Sequence, residues 1–227
     1  MPGAVKDMIE GCGVPHTEVE LIVVDGRSVS FDYRVRDRDR IGVFPMFESF
    51  DVSALVRVRP EPLRDVRFVA DVHLGRLARF LRLLGFDTLW DRTWTDPELV
   101  RVSVDEGRIL LTRDVELLKH GSLTHGTFVR ETDPERQVAE IVGRFHLTGR
   151  FDPFTRCMVC NGTLKPVEKR EIVERIPAGT SEAVDDFHMC ARCGQVFWEG
   201  AHAEGLDRIV DLARRVGGGS APAPEAP

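Results

Sequence analysis

Residues 68–85 read FVADVHLGRLARFLRLLG. A short apolar run meets an aspartate, Asp71, and passes at once into a helical pattern. Leu74, Leu77, Ala78, Leu81 and Leu84 fall at i, i+3, i+4, i+7 and i+10, so they share one buried face. Arg76, Arg79 and Arg82 fall on another face. A strand feeding a helix is the opening of a parallel α/β unit, and the alternation continues from about 66 to 147. Strands are predicted at RFVA, FDTLW, RILLT and GTFVR, and helices at LGRLARFLRLL, PELVRVSVDEG and, briefly, VELLKH. PERQVAEIVGRFH closes the unit.

Upstream, residues 1–60 predict a smaller α+β unit. VKDMIEG has a helical pattern, GVPH is a turn region, and VELIVV and SVSFDY are strand-like. Asp25-Gly26 between them is a strong hairpin signal. RDRDRIGVFPMF leads into a brief strand ended by Pro45. Arg59-Pro60-Glu61-Pro62 reads as a stiff linker, because each proline disfavours helix before it and cannot donate to a ladder. Downstream, residues 151–205 form a third unit that carries paired cysteines, and 217–227, GGGSAPAPEAP, is a flexible tail with nothing to pack.

Composition excludes some classes of function. With 42% apolar and 30% charged residues the chain reads as soluble and globular, and no apolar run approaches the roughly 18 residues that would span a bilayer. The start, MPGAVKDMIEG, puts Asp7 and Glu10 where a signal peptide needs a cationic head and an apolar stretch, so a cytoplasmic location is expected. A net charge of -6 argues against a broad basic coat for nucleic acid, while leaving room for a local arginine patch. Nearly all of the 31 basic residues are arginine, which suits bidentate phosphate contacts and equally follows from codon bias.

In an open parallel sheet, ligands collect outside the carboxyl ends of the strands. Asp71 ends the first predicted strand of the α/β unit and Asp114 the third, in ILLTRD, so both should emerge on that rim. If the strands are neighbours, two like charges converge and repel unless a cation sits between them. Oxygen-rich clusters of this kind suit magnesium or manganese. Asp96 and Asp133 could reach the same rim, and Thr112 could orient a carboxylate or a water. Every one of these aspartates also stands at a helix N-cap position, a common use of the residue at such turns, and Pro97 favours that reading for Asp96. A metal held there would activate a water and stabilise a phosphodiester under attack, with arginines near the rim, Arg113 included, holding flanking phosphates.

Cys157-Met-Val-Cys160 and Cys190-Ala-Arg-Cys193 form two CxxC knuckles, followed closely by Gly162 and Gly194, which allow turns that aim amides at sulfur. Four thiolates so spaced fit tetrahedral zinc, and a closed site of this type is structural. Strands are expected around EIVERI and at QVFW, as in a zinc ribbon. His188, His202 and Trp198 stand between facing RNA and ordinary packing. Cys12 has no assigned role.

FVADVHLGRLARFLRLLGFDTLW, then EGRILLTRD, then the two CxxC pairs together resemble the Mut-seven carboxy-terminal RNase domain family over roughly residues 66–205. The resemblance implies a PIN-like parallel sheet flanked by helices with a C-terminal zinc ribbon. It also implies a metal-dependent ribonuclease or an RNA-binding relative, with Asp71 and Asp114 as ligands. GVPHTEVELIVVDG with DRDRIGVFP resembles the ubiquitin-like β-grasp domain often fused in front, a possible site for a protein partner. The β-grasp pattern begins with a hairpin, and this sequence starts at what looks like the helix, so the expectation is either a truncated unit or a true start further upstream. PIN nucleases assemble three or four acids, and two are placed here.

The function expected is therefore a magnesium- or manganese-dependent endoribonuclease acting on RNA. Its alternative is a non-catalytic RNA- or ribosome-associated adaptor with a vestigial acidic site. A sulfur-carrier role for the N-terminal unit fails, because such carriers end in a free Gly-Gly and Gly217 to Gly219 lie far from that unit.

Overall fold

The computed structural model describes residues 3–45, 58, 65–176, 185–198 and 203–216. The expected linker at 59–62, His202 and the tail at 217–227 lie outside the described residues.

Helix α1 (Val5–Gly11) precedes an antiparallel sheet of β1 (Leu21–Val24), β2 (Arg27–Val29) and β3 (Ile41–Phe44), in the order β2-β1-β3. Asp25 and Gly26, at φ 47° and 81°, both enter the left-handed region, the requirement of the hairpin turn that follows strand twist. Val5 and Ile9 of the helix close over Val19, Ile22 and Val24 to make the core of this unit.

The alternation read in the sequence follows: β4 (Phe68–Ala70), α2 (Gly75–Leu83), β5 (Thr88–Trp90), α3 (Asp96–Glu106), β6 (Ile109–Thr112), α4 (Val115–Leu118), β7 (Gly126–Phe128) and α5 (Pro134–Arg144). The four-stranded sheet has the order β5-β4-β6-β7. β4 and β7 both run parallel to β6, with Ala70 opposite Leu111 and Thr112 opposite Phe128. Every residue of β4 and β6 is buried, as continuous apolar runs between layers of helix should be.

Asp96 does not cap α3. Thr95 does, in a capping box with Glu98, whose carboxylate accepts from the Thr95 amide at 2.8 Å. Asp96 is thereby the first helical residue and is exposed.

The cysteine-bearing region contains β8 (Leu164–Val167), α6 (Lys169–Ile172), β9 (Phe187–Cys190), β10 (Val196–Trp198) and α7 (Ala203–Val216). Its antiparallel sheet has the order β10-β9-β8. QVFW supplies β10, but EIVERI is not a strand. Residues 171–176 are the end of α6 and a 3-10 turn, Val173–Arg175. Both edges of β9 are taken by β8 and β10, and Glu168 with Glu171 start a helix through reciprocal capping. The apolar residues of the stretch still reach the core, where Ile172 and Ile176 pack with Phe187 and Val196.

Two compact units divide the chain, Met1–His73 with Asp91–Phe128, and Leu74–Trp90 with Val129–Pro227. In the first, Glu18 accepts from the Thr127 hydroxyl at 3.0 Å and the Phe128 amide at 2.8 Å, so the segment before β1 lies against β7. In the second, α2 packs on α5, and α7 packs on both. Gly85 ends α2 at φ +96°, and a Cβ there would stand 2.4 Å from the Asp152 carbonyl oxygen. The close approach is fixed by the amides of Asp152 and Phe154, which donate to Leu84 and Leu83 at 3.1 and 3.0 Å. No helix among the described residues is long and apolar enough to cross a membrane.

Candidate functional site

The β4–β6 register decides the geometry of the rim. With Ala70 opposite Leu111, the next pair is Asp71 and Thr112, at the carboxyl ends of neighbouring strands. The Thr112 hydroxyl donates to Asp71 Oδ2 at 2.6 Å and accepts from the Asp114 amide at 3.0 Å. Asp71 Oδ2 also accepts from the Arg113 amide at 3.4 Å, and Oδ1 from the His73 amide at 2.7 Å. Asp71 is only 5% exposed, so these donors replace the water it has lost. Asp114 is exposed and caps α4, its Oδ1 accepting from the amides of Glu116 and Leu117. The cap and the rim positions thus coincide at this residue.

Asp133 caps α5, with Oδ1 accepting from the Glu135 and Arg136 amides at 3.1 Å each. Among the described residues the cysteines form the one group of three or more metal-ligating side chains, so neither Asp96 nor Asp133 completes such a group with Asp71 and Asp114. The Asp71 carboxylate and the Asp114 amide meet at the Thr112 hydroxyl, and magnesium, which keeps several waters, needs no more than one or two protein carboxylates beside substrate oxygens. Arg113 is half-buried, its guanidinium 6.0 Å from the centroid of the Phe128 ring.

Arg76 and Arg79 are exposed on α2. Arg82, expected beside them as a phosphate contact, is 3% exposed and faces inward. Its Nε donates to the Thr88 carbonyl at 2.8 Å, and its Nη1 to the carbonyls of Met158 and Val159 at 3.2 and 2.9 Å. Burial draws its pKa below the ordinary value, against the opposite pull of Cys157, Cys160 and Asp87. It is not available to RNA.

The four cysteine sulfurs all lie within 4.8 Å of one another. The amides of Arg192 and Cys193 point at Cys190 Sγ from 3.4 and 3.5 Å. Burial pushes the Cys157 thiol up to about 12. Burial acts the same way on Cys190, but the amides of Cys193 and Arg192 and the neighbouring thiols overcome it and bring that thiol down to about 7. Such a cluster could bind zinc, with every position filled by sulfur and none left for substrate.

Arg82 is one of several ties on the first knuckle. Asn161 accepts from the Thr88 amide at 3.1 Å and donates to Asp87 at 2.7 Å, while Arg156 lies 3.4 Å from the other oxygen of Asp87. Sequence reasoning missed Arg82, Asp87 and Asn161 as a group. The one signal was an arginine set among Leu81, Leu83 and Leu84. His188 is half-buried on β9, and the Trp198 ring packs on Phe187 with centroids 6.2 Å apart.

The fold is that of a mixed α/β protein, a four-stranded parallel sheet flanked by helices and followed by a four-thiol cluster compatible with a zinc ribbon. The model described as Mut7-C RNAse domain matches residues 66–210, and the chain belongs to that family. A second, described as Mut7-C ubiquitin, matches residues 2–51. No curated protein and no solved structure matches the chain.

Proposed function

We propose that this chain is a divalent-metal-dependent endoribonuclease with its centre at the carboxyl ends of β4 and β6. The observation that carries the reading is the Thr112 hydroxyl, bonded at once to the buried Asp71 carboxylate and the Asp114 amide. A magnesium or manganese ion bound by Asp71 and Asp114 would lower the pKa of a water and offset charge on the phosphodiester. Thr112, with the amides of His73 and Arg113, holds Asp71 in one orientation. Asp114 presents its carboxylate from the N-cap of α4. Arg113 at the rim and Arg76 and Arg79 on α2 hold RNA phosphates.

In this reading the thiols hold a structural zinc. Residues 66–147 carry catalysis, 151–205 the ribbon, and 1–60 a protein-binding unit. Cysteines kept as metal-binding thiolates rather than as disulfides suit a reducing compartment, the cytoplasm.

Incubation of the zinc-loaded protein with labelled single-stranded RNA tests the proposal. Magnesium-dependent cleavage that EDTA and Asp71→Asn both abolish is expected, and cleavage that survives either would sink it. The count of two acids, against the three or four of PIN nucleases, favours a second reading as a non-catalytic RNA-binding adaptor. RNA binding without cleavage, unchanged in Asp114→Asn, would select it.

A further inference from the structure

A cavity of about 310 Å³ lies in the ribbon region, between the loop at 153–158, the sheet β8–β10 and Leu206 of α7. Its walls are rich in π surface and sulfur, from Phe154, Phe197, Trp198 and Met158, and its polar groups include the Asp186 carboxylate and the His188 ring. One of the aromatic walls is held there against its own preference. Phe154 sits at φ +60°, a conformation uncommon for a bulky side chain. The bond from its amide to the Leu83 carbonyl at 3.0 Å keeps it so. The same approach of residues 152–154 to the end of α2 that Gly85 permits therefore fixes the Phe154 ring as one rigid wall of the cavity.

We infer that this cavity receives one unpaired base of an RNA strand, with guanine preferred. Stacking on aromatic rings accepts any base, so the polar groups decide which. A carboxylate only accepts hydrogen bonds and repels phosphate, which leaves a base edge rich in N–H groups as the matching ligand. Guanine presents two adjacent donors, N1–H and the 2-amino group, to the two oxygens of Asp186. His188 adds a second, tautomer-adjustable contact. The site is separate from the acidic rim and sets where a strand is gripped. It rests on the reading of the protein as one that handles RNA.

The test uses the full-length, zinc-loaded protein in magnesium-free buffer, so that no strand is cut. Two short fluorescent oligouridylates are titrated, one uniform and one with a single central guanosine. The parent should bind the guanosine strand about tenfold more tightly, in the range a good bidentate base contact gives. Asp186 is exposed, so Asp186→Asn leaves the fold and zinc content intact. It should reduce the guanosine strand to the affinity of the uniform one. Phe197→Leu should weaken both. Equal affinities in the parent overturn the inference, whether sedimentation then shows a second copy of the chain covering the cavity or a polypeptide occupies it. A preference that survives Asp186→Asn overturns it too. A protein that discriminates guanosine but never cuts with magnesium keeps this inference and loses the nuclease reading, and one that cuts without discriminating does the reverse.

Discussion

Thr112 and Asp71 stand side by side on neighbouring parallel strands, hydroxyl to carboxylate at 2.6 Å, and both are almost completely buried. Thr112→Val keeps the shape and deletes the hydroxyl, leaving Asp71 short of a donor and the Asp114 amide short of an acceptor. A stability loss of about 1–3 kcal/mol is expected in urea titration. RNA cleavage should fall well beyond what the lost stability explains. A variant as active as the parent would show that the hydroxyl does not organise the rim.

Asp114 carries two duties that substitution can separate. Asparagine caps a helix as well as aspartate does, so Asp114→Asn should leave the unfolding midpoint nearly unchanged while cleavage drops a hundredfold or more, on the order of a lost charged ligand. Asp114→Ala should lose cleavage and also about 1 kcal/mol of stability. Equal stability losses in the two variants would mean that the cap contributes nothing.

Arg82 ties the first knuckle to α2. Arg82→Met fills the volume but leaves the carbonyls of Thr88, Met158 and Val159 without their donor, at a cost of about 2–4 kcal/mol. Zinc should also pass to a chromogenic chelator faster than from the parent. Arg82→Lys, lacking the planar fork, should rescue little.

The metal-free protein should show a maximum of stability near pH 9. Cys190 falls from 9.0 to about 7 on folding, so between those values the unfolded chain holds more protons and stability rises with pH. Cys157 rises from 9.0 to about 12, so above pH 9 the folded chain holds more and stability falls. Zinc should erase this profile and replace it with a loss of stability in acid, as protons compete for the thiolates. Urea midpoints across the range, with and without zinc, read the difference, and a monotonic metal-free curve would contradict it.

Much of this architecture is legible in the sequence because its signals are local. The apolar runs of β4 and β6, the leucine spacing of α2 and the Asp25-Gly26 turn each fix their own conformation. The thiol pairs announce themselves by spacing. Thr95 was legible too, since Thr-x-x-Glu marks a capping box, but the Asp96-Pro97 pair drew the reading one residue too far. EIVERI has strand composition, and only the reciprocal capping of Glu168 and Glu171 shows that a helix starts there instead. Arg82 was illegible for a different reason. Its partners at Met158 and Val159 are distant in sequence, and helical periodicity cannot distinguish an arginine facing water from one facing buried carbonyls. Glu18, whose partners lie on β7, is hidden in the same way.

The carbonyls that Arg82 grips belong to the two residues enclosed by Cys157 and Cys160. Were zinc held by those sulfurs, its loss would free the knuckle to move, and the buried arginine of α2 would lose the fixed carbonyls that now receive its charge.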